Sequence, residues 1–477
     1  MDFETVIGLE VHCELSTETK IFCSCKTSFG EEPNTNICPV CTGFPGVLPV
    51  LNKKVLEYSI KAGLALNCEI AETIVFDRKN YFYPDLPKAY QISQLYAPLC
   101  REGYININTE KGNKKIRIRE IHMEEDAGKL IHSSEDERTL IDYNRAGVPL
   151  IEIVTYPDFS CAEEVLDFLT KLKAILLYTG VSDCKMQEGS LRVDVNLSVK
   201  EKNAESLGER TETKNLNSFK AVKRAIEFEE SRQKNEILKG NIISCDTIHW
   251  DDARGIGFVM RPKESIEEYR YFNDPDLPKQ LISREWAEEI RKSIPELPSQ
   301  RENRYINEYN LTEYEAKIIC ASKALSDVFE KLCVLTENPK ESSNWILGEV
   351  SRLYSVIGKE PEDYSFSAEK LAFIINKLAD RGINRNTAKE LFEKVFLDDA
   401  DPEIIIKEEG LEIINDDSSI EEAVRKVLSE NEKSVEELKA GKNKVEKFLI
   451  GMTMKELKGK GDPRKIIEIM KKEIEKL

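Results

Sequence analysis

The spacing of apolar residues changes at a pair of prolines, Pro295 and Pro298, and this change constrains the fold more than any other feature of the sequence. Before the prolines, runs such as FETVIGLEVH and KIRIREIHM combine β-branched residues with partial alternation, a pattern that predicts strands. After them, segments such as TEYEAKIICASKALSDVFEKL and NTAKELFEKVFL have helical spacing, and strand signals are almost absent. The chain is therefore predicted to join a sheet-rich part to a helical part.

Helices also interrupt the sheet-rich part. AEEVLDFLTKLKAILLYTG and AVKRAIEFEESRQKNEILKG each have apolar residues at helical spacing and end on a glycine, which often follows a helix C-terminus. Because VPLIEIVTY and SLRVDVNLSV predict further strands, the fold class of this part is α+β. A single core rarely organises more than about 300 residues, so a chain of 477 is expected to form several domains.

A second division is predicted near residue 408. A glycine and two aspartates separate helical segments there, and Ser419 with Glu422 then forms the S-x-x-E pattern of a capping box. The last helix is predicted to begin at Pro463, with Asp462 as its N-cap. The predicted architecture is an α+β multidomain chain with a sheet-rich domain at 1–294, an all-α middle domain at 295–407 and a small all-α tail domain at 408–477.

Composition and charge exclude several classes of protein. No stretch approaches the ~20 apolar residues that span a bilayer, and no secretory signal is recognisable, so a cytoplasmic protein is expected. A formal net charge of −18 argues against a surface covered with nucleic-acid contacts. From Lys439 onward, however, lysines outnumber acids. That stretch fits either a local RNA contact or a solvated helical surface.

Two close pairs of cysteines carry the strongest local signal. They lie in FCSCKTSFGEEPNTNICPVCTG, a polar segment too short to form a core of its own. Four thiolates in this arrangement can surround one tetrahedral Zn²⁺, and such a closed site is structural because it leaves no position open for substrate. Four thiols without metal are the alternative. The predicted zinc ligands are Cys23, Cys25, Cys38 and Cys41.

Carboxylates at unusual positions predict a second kind of site in the same domain. Glu10 and His12 are two residues apart on a predicted strand and therefore share a face. Glu152 interrupts an apolar run, where a carboxylate must be paired, bound to metal or turned outward. Oxygen ligands with one imidazole suit Mg²⁺ or Mn²⁺. Spacing alone leaves open whether these groups, HMEEDAGK and SLRVDVN form one site or solvated faces.

Some common motifs are missing from the sequence. It contains neither G-x-x-x-x-G-K-[ST] nor G-x-G-x-x-G, so any bound nucleotide must be held without these phosphate-binding loops. With four histidines and no G-x-S-x-G, a hydrolytic triad is poorly supported. The run FDRKNYFYPDLPKAYQISQ mixes cations with aromatic residues, which fits either base stacking beside phosphates or an aromatic core with cations at its surface.

As a set, these segments resemble one known family. VIGLEVHCEL, HMEEDAGK, NRAGVPLIEIV, MQEGSLRVDVN, YRYFNDPDLP and SNWILGEV occur in the order found in the B-subunit family of the aspartyl/glutamyl-tRNA amidotransferases. The likeness covers nearly the whole chain. It implies a cradle domain that holds the active site and the zinc loop, followed by a helical domain and by a tail domain of a type that interacts with tRNA.

The resemblance also implies an activity and partners. The expected enzyme is an ATP-dependent ligase that forms a carbon–nitrogen bond with glutamine as amido donor. It would convert Glu-tRNA(Gln) or Asp-tRNA(Asn) into Gln-tRNA(Gln) or Asn-tRNA(Asn), by phosphorylating the side-chain carboxylate and then adding ammonia. Ammonia would come from a glutaminase A subunit, and a small C subunit would complete a heterotrimer. The mischarged tRNA would be contacted at its acceptor arm and elbow.

Residue roles follow from the same resemblance. His12, Glu125 and Glu152 are implied as Mg²⁺ ligands, and Glu10, Glu124 and Asp194 as neighbours that hold water or a second ion. The predicted catalytic set is therefore Glu10, Glu124, Glu125, Glu152 and Asp194. Contacts to the nucleotide and the acceptor end are expected from Lys79, Tyr83, Ser190 and Asn217.

Two other interpretations stay open at this point. The chain could be a tRNA-binding scaffold whose acidic cluster is only a structural knot stabilised by a cation. It could also be a related archaeal subunit, although that relative has an inserted domain and a longer chain. Which mischarged tRNA is the substrate depends on the tRNAs that the cell produces.

Overall fold

The computed structural model describes residues 2–132, 138–262, 266–413, 416–439, 444–457 and 461–476. The chain forms two compact units, Met1–Arg301 and Glu302–Leu477. The first is rich in strands and the second is helical, as the change at the prolines predicts. Parts of the lysine-rich stretch, residues 440–443 and 458–460, lie outside the described residues. Among those described, no helix is long and apolar enough to cross a membrane.

The first unit contains short and long strands together with helices. The long strands fall where alternating sequence predicts them. In chain order the strands are β1 (Phe3–Glu14), β2 (Glu69–Ile70), β3 (Thr73–Ile74), β4 (Asp77–Asn80), β5 (Tyr90–Ser93), β6 (Cys100–Thr109), β7 (Gly112–Glu125), β8 (Lys129–His132), β9 (Thr139–Asp142), β10 (Pro149–Thr155), β11 (Leu191–Glu201), β12 (Thr211–Leu216), β13 (Asp246–Asp251), β14 (Ile256–Pro262), β15 (Phe272–Asn273) and β16 (Gln280–Leu281). The helices are α1 (Lys53–Ala65), α2 (Ala162–Thr179), α3 (Phe219–Leu238), α4 (Arg284–Lys292) and α5 (Pro298–Tyr309), which continues into the second unit.

A nine-stranded sheet organises the first unit, in the order β14-β13-β12-β11-β1-β10-β7-β6-β2. Neighbouring strands run antiparallel except for the parallel pair β12 and β13. Other strands in the described part of the chain form three smaller sheets, β15-β4-β5, β16-β3 and β8-β9. The N-terminal strand β1 is central, so its side chains have β10 and β11 as neighbours on either side.

The sheet has one apolar and one polar face. Leu9 and Val11 of β1 belong to the core together with apolar residues of α1, α2 and α3. Helix α2 packs on β6, and α3 packs on β11. Since strand residues alternate between faces, Glu10 and His12 project to the opposite side. The helices therefore cover one face and leave the other lined by charged residues.

Local signals explain how the covering helices end and begin. Gly180 follows α2 in the left-handed conformation with φ of 69°, and its N–H donates to carbonyls of the last turn. Ser218 precedes α3, and its side chain accepts a hydrogen bond from the N–H of Ala221. Gly180 is the glycine stop that the sequence pattern predicts, and Ser218 is a hydroxyl cap that it did not identify.

The second unit is built from helices. They are α6 (Glu313–Cys320), α7 (Lys323–Thr336), α8 (Pro339–Trp345), α9 (Ser351–Ile357), α10 (Ala368–Ala379), α11 (Arg385–Asp398), α12 (Pro402–Glu408), α13 (Asp417–Glu430), α14 (Glu432–Lys439), α15 (Lys444–Glu456) and α16 (Pro463–Lys476). A π-helical turn, Ile346–Val350, connects α8 to α9. The buried residues form two clusters, one between Tyr305 and Ile406 and one between Ile420 and Met470.

Two local predictions in this unit are wrong. Asp416, rather than Ser419, caps α13, and its carboxylate accepts from the N–H of Ser419. The predicted single helix TEYEAKIICASKALSDVFEKL is divided into α6 and α7, because the side chain of Ser322 accepts from the N–H of Leu325 and starts a new helix. At α13 two cap-forming residues, Asp416 and Ser419, lie three positions apart, and local sequence did not distinguish them. In the longer segment the helical spacing of the apolar residues concealed the cap at Ser322. The last helix begins at Pro463 as predicted.

Candidate active site

Three neighbouring strands bring two histidines and a glutamate into one row across the polar face. His12 of β1 is paired with Glu152 of β10, and Glu152 is paired with His122 of β7. Paired residues of antiparallel strands project from the same face, so the three side chains converge. The Nε2 atoms of His12 and His122 lie 3.5 Å and 3.1 Å from Oε2 of Glu152.

Glu124 adds a second carboxylate to this row. Its Oε1 lies 3.8 Å from Nε2 of His12, and its Oε2 lies 3.8 Å from Nε2 of His122. The group is strongly coupled. Although burial opposes the change, the charge of Glu152 raises the pKa of His122 to about 10 and also raises that of His12. Burial by itself raises the pKa of Glu152. The two imidazoles outweigh this effect and lower the pKa well below its usual value.

The donors of this row fit a divalent cation. One donor atom from each of His12, Glu124 and Glu152 lies within 4.8 Å of the others. Ligands held about 2.1 Å from a Mg²⁺ ion lie roughly 3.0–4.2 Å apart. The distances of 3.5 Å and 3.8 Å from His12 to the two carboxylates fall in that range. We refer to His12, Glu124 and Glu152 as the first donor cluster.

Glu125 does not join the first donor cluster. Adjacent residues of a strand project to opposite faces, so Glu125 turns away from the side that carries Glu124. Its Oε1 accepts hydrogen bonds from Nζ of Lys88 and, at 2.9 Å, from the backbone N–H of Ile92. The sequence-based grouping of Glu125 with His12 and Glu152 therefore differs from the structure, which places Glu124 there instead.

A second donor cluster lies on the same face, and its residue on β1 is two positions before His12. It consists of Glu10, Asp194 and Glu212. Glu10 of β1 is paired with Asp194 of β11. One carboxylate oxygen from each of the three residues lies within 4.8 Å of the others. Lys214 donates to Asp194 at 2.5 Å, and Asn196 donates to Glu10 at 3.0 Å. The sequence grouped Glu10 with Asp194, whereas Glu212 was given no role.

Charged groups of a third set hold the end of β1. Glu14 is hydrogen-bonded to Asp126, and burial together with the charge of Asp126 raises the pKa of Glu14 to about 9. Although burial opposes the change, Arg192 lowers the pKa of Asp126 to about 2, and its Nη2 donates to Oδ2 at 2.5 Å. Arg192 is paired with His12 across the sheet. This set therefore fixes the strand on which His12 lies.

Lys79 brings a cation to the first donor cluster. Its ammonium lies over the rings of Tyr269 and Tyr81, at 4.7 Å and 5.7 Å from their centres. Although burial opposes the change, the charges of Tyr271 and then of Glu124 and Glu152 raise the pKa of Lys79. An ammonium held in this way can meet a phosphate oxygen next to the carboxylates.

The other predicted contact residues have different surroundings. Tyr83 is exposed after β4, and Asn217 is exposed in the turn between β12 and α3. The hydroxyl of Ser190 donates to Oδ1 of Asp183 at 2.5 Å. The structure therefore brings Lys79 to the donor residues, and it gives Ser190 a local hydrogen-bonding role at the start of β11.

A cavity of about 350 Å³ opens beside the second donor cluster. Its volume is within the usual range for small-molecule sites. Glu10 and Asn196 belong to its lining, and Arg119 and Arg210 add positive charge. Its remaining lining is largely apolar or made of glycine, including Val6, Gly8, Leu9, Val154, Pro157 and Leu207.

The four predicted zinc ligands form a compact group. The Sγ atoms of Cys23, Cys25, Cys38 and Cys41 lie within 4.8 Å of one another, and those of Cys38 and Cys41 are 3.9 Å apart. Sulfurs around a tetrahedral Zn²⁺ at 2.3 Å lie about 3.8 Å apart, so the group fits that ion. Nζ of Lys20 lies 3.7 Å from Sγ of Cys41. Hydrogen bonding from Cys23, with a contribution from Lys20, lowers the pKa of Cys41 to about 4.

Sequence analysis missed three residues of this region. His122 lies inside HMEEDAGK, but no alternation argument connected it to Glu152 on another strand. Lys20 lies just before the cysteine segment and Glu212 begins ETKNLNSFK, a segment that belongs to the family resemblance, but neither residue was given a role. A histidine two residues before Glu124 shares its strand face, and this period-two relation is the one signal that could have identified His122.

Together, these features define a class of protein: an α+β chain that presents metal-type donor clusters and a small-molecule cavity on the open face of a mainly antiparallel sheet. Two protein-family models match the chain. A model described as the GatB/GatE catalytic domain matches residues 5–288, and one described as the GatB domain matches residues 327–474. The chain belongs to the GatB/GatE family.

Curated relatives resemble the chain along its entire length. A protein of Caldicellulosiruptor saccharolyticus is 54% identical over 480 residues and one of Thermoanaerobacter pseudethanolicus is 54% identical over 477, with 100% of both chains covered in each case. One of Lachnoclostridium phytofermentans is 51% identical over 474 residues, covering 99% of each chain. All three are named as the B subunit of an aspartyl/glutamyl-tRNA(Asn/Gln) amidotransferase.

Proposed function

We propose that the chain is the B subunit of a tRNA-dependent amidotransferase and that the polar face of its sheet activates the amino acid on mischarged tRNA. The proposal rests on the names of relatives at 51–54% identity and on one structural observation. That observation is the row of His12, Glu152 and Glu124 beside a second acidic cluster and a cavity. Protein synthesis would place the reaction in the cytoplasm.

The proposed reaction has two steps. An oxygen of the side-chain carboxylate of Glu-tRNA(Gln) or Asp-tRNA(Asn) attacks the γ-phosphorus of ATP, and ADP leaves. Ammonia then attacks the carbon of the acyl phosphate, phosphate leaves, and a proton is released as the amide forms. A carboxylate on its own is a poor acylating agent, so phosphorylation provides the leaving group that amide formation requires.

Each donor cluster has a proposed task in the first step. His12, Glu124 and Glu152 would hold a Mg²⁺ ion, which when bound offsets the repulsion between the attacking carboxylate and the phosphate. Glu10 and Asp194, with Glu212, would hold a second ion or ordered water. Lys79 would meet a phosphate oxygen. We propose a supporting role for Glu125, because Lys88 and Ile92 occupy its carboxylate.

The cavity beside Glu10 is the proposed place for the nucleoside of ATP. Gly8 and Leu207 supply a lining without charge, and Arg119 and Arg210 supply positive charge for phosphates. Because Glu10 belongs both to the cavity and to the second donor cluster, a nucleotide there would extend its phosphates toward the cations. Of the contacts expected from the sequence, Tyr83 and Asn217 would then remain for the acceptor end of the tRNA.

Zinc and the domain division are further parts of the proposal. Cys23, Cys25, Cys38 and Cys41 would bind a structural Zn²⁺, since all four positions around the ion would be filled. The helical region would divide into a middle domain at 295–407 and a tail domain at 408–477, a division supported by the two separate clusters of buried residues. The tail domain would contact the tRNA.

The proposed complex needs partners that supply ammonia. A glutaminase A subunit and a small C subunit would complete a heterotrimer, since the word subunit in the relatives' name implies a complex. Glutamine would be the amido donor. The chain alone would therefore not form the amide from glutamine.

Cleavage of ATP by the reconstituted complex tests the proposal. With Glu-tRNA(Gln) and Mg²⁺ present, wild type should cleave ATP, and Glu152→Gln should reduce the rate at least 100-fold, because one ligand of the cation has lost its charge. Glu69→Gln, an exposed glutamate on the edge strand β2, is the matched control and should behave as wild type.

The possible results separate the two interpretations of the site. Loss of cleavage in Glu152→Gln with tRNA binding unchanged supports an activating role for the first donor cluster. Unchanged cleavage in Glu152→Gln would refute that assignment and favour the scaffold interpretation, in which the chain only positions tRNA. Tryptophan fluorescence would confirm that both variants are folded.

A further inference from the structure

Two side chains that were given no role on the basis of the sequence lie against the carboxylates of the first donor cluster. His122 of β7 has its Nε2 atom 3.1 Å from Oε2 of Glu152 and 3.8 Å from Oε2 of Glu124. The hydroxyl of Ser93, the last residue of β5, donates to the same Oε2 of Glu124 at 3.2 Å. Both residues are buried, with 8% and 2% of their surface exposed.

These contacts are unequal for the two oxygens of Glu124. Oε2 receives the hydroxyl of Ser93 and faces His122, whereas Oε1 lies on the side of His12 at 3.8 Å. A carboxylate whose one oxygen is engaged by protein donors has a fixed plane, and its other oxygen then points in a defined direction. In Glu124 this other oxygen is Oε1, which points toward the imidazole of His12.

The two ring nitrogens of His122 have different surroundings. Nδ1 is buried and has no hydrogen-bond partner within the described part of the chain. Nε2 has the two carboxylates as neighbours. Nε2 is therefore the nitrogen from which the ring can donate a proton to the carboxylates, whichever protonation state it has. The ring thus acts as a donor to Glu152.

His122 and His12 approach the carboxylates from different strands. Glu152 lies between them in the register, paired with His12 on β1 and with His122 on β7. The group of donor atoms within 4.8 Å of one another contains His12, Glu124 and Glu152 but does not include His122. In this grouping His12 is the imidazole donor, and His122 contacts Glu152 from the strand on its other side.

We propose that His122 and Ser93 are positioning residues that orient the carboxylates of Glu124 and Glu152 for a divalent cation. This inference rests on the proposed function. His122 contacts Oε2 of Glu152, the oxygen that also faces His12, and Ser93 donates to Oε2 of Glu124; Oε1 of Glu124 and the remaining lone pairs of Glu152 are then available to the cation. Residues that hold metal ligands in this way typically change metal affinity or activity about 10- to 100-fold when substituted.

Mn²⁺ binding to the full-length chain, measured by electron paramagnetic resonance titration, tests the proposal without requiring turnover. His122→Leu should raise the dissociation constant about 10- to 100-fold. His122→Gln should restore binding to within a few-fold of wild type, because its amide N–H can reach the same oxygen. Ser93→Ala should weaken binding by a smaller factor. His249→Leu, which removes a histidine from β13, is the matched control and should bind as wild type.

Glu152→Gln distinguishes failure of this inference from failure of the proposed function. If Glu152→Gln weakens Mn²⁺ binding and His122→Leu does not, the positioning role is refuted and the proposed site stands. If Glu152→Gln itself binds Mn²⁺ as wild type, the first donor cluster is not the cation site and both proposals fail. If His122→Gln is as weak as His122→Leu, the imidazole is a direct ligand and the positioning role is refuted.

The reconstituted complex provides a second readout. His122→Leu should raise the Mg²⁺ concentration that gives half-maximal ATP cleavage about 10-fold or more. Saturating Mg²⁺ should restore most of the maximal rate, since the donors to the cation are intact. A maximal rate that stays low at saturating Mg²⁺, in a variant whose circular dichroism matches wild type, would contradict a role limited to positioning.

Discussion

Glu124 and Glu125 are neighbours in the chain and have opposite environments. Glu124 faces His12 and Glu152, whereas Glu125 is bound by Lys88 and Ile92 behind the strand. The sequence indicates that one of two adjacent carboxylates must face the donor row, but not which one. The phase of β7, set by its pairing with β10, decides the question.

This difference leads to opposite expectations for two conservative substitutions. Glu125→Gln should lower the free energy of unfolding by about 3 kcal/mol, because it leaves Lys88 buried without its partner. Glu124→Gln should change stability little and should weaken Mn²⁺ binding at least about 10-fold, since a ligand loses its charge. Urea unfolding and an Mn²⁺ titration of both variants provide the measurements. The reverse pattern would show that Glu125, as the sequence suggested, is the ligand.

Lys20 provides a second expectation at the scale of one residue. Its ammonium is fully buried and lies 3.7 Å from Sγ of Cys41. Four thiolates around Zn²⁺ carry excess negative charge, which this ammonium offsets. Lys20→Met should therefore release zinc to a chelator about 10-fold faster than wild type. The exposed Lys26 of the same segment offers the control Lys26→Met, which should release zinc at the wild-type rate. Equal rates in all three proteins would contradict the role of Lys20.

At the scale of elements, the helices that cover the sheet follow local rules closely. AEEVLDFLTKLKAILLYTG forms α2 and ends before Gly180, as its pattern predicts. Prediction failed at Asp416, where two cap-forming residues lie close together, and at Ser322, where a cap interrupts a continuous helical pattern. There the choice of cap depends on which helix face must be buried against neighbours, and that information is not local.

Gly180, which ends α2, allows a test of how this helix end is stabilised. Its φ is +69°, and a Cβ added there would meet no atom within 4 Å, so any cost is conformational. Gly180→Ala should destabilise the protein by about 1 kcal/mol. Gly451 of α15 also has open space around it but has no positive φ, so Gly451→Ala should stabilise by roughly 0.5–1 kcal/mol. Urea unfolding measures both. A neutral effect of Gly180→Ala would mean that the helix end rearranges.

At the scale of the whole molecule, the proposed chemistry is confined to the first unit. Both donor clusters, the cavity and the cysteine group consist of residues before 251. The core cluster of this unit is formed by residues from Ile7 to Ile290. The helical unit has its own two clusters of buried residues. Each unit therefore has the interior that independent folding requires.

This organisation predicts the behaviour of a fragment. Residues 1–301, produced alone, should fold and bind Mn²⁺ with a dissociation constant within about threefold of the full chain, because every donor to the first cluster lies in this part. The same fragment carrying Glu152→Gln is the control for specific binding. Circular dichroism and the Mn²⁺ titration report the two properties. A folded fragment without Mn²⁺ affinity would mean that the second unit is needed to form the site.

The sequence by itself determined the α+β class, the change from strands to helices after Pro295, the cysteine pairs and the donor residues His12 and Glu152, because these depend on periodicity and on residue chemistry within short segments. Only the tertiary structure decided which carboxylate of β7 faces them, and that His122 and Glu212 lie beside them. Those facts depend on the register between strands that are distant in the chain, and register is set by burying a whole face of the sheet at once.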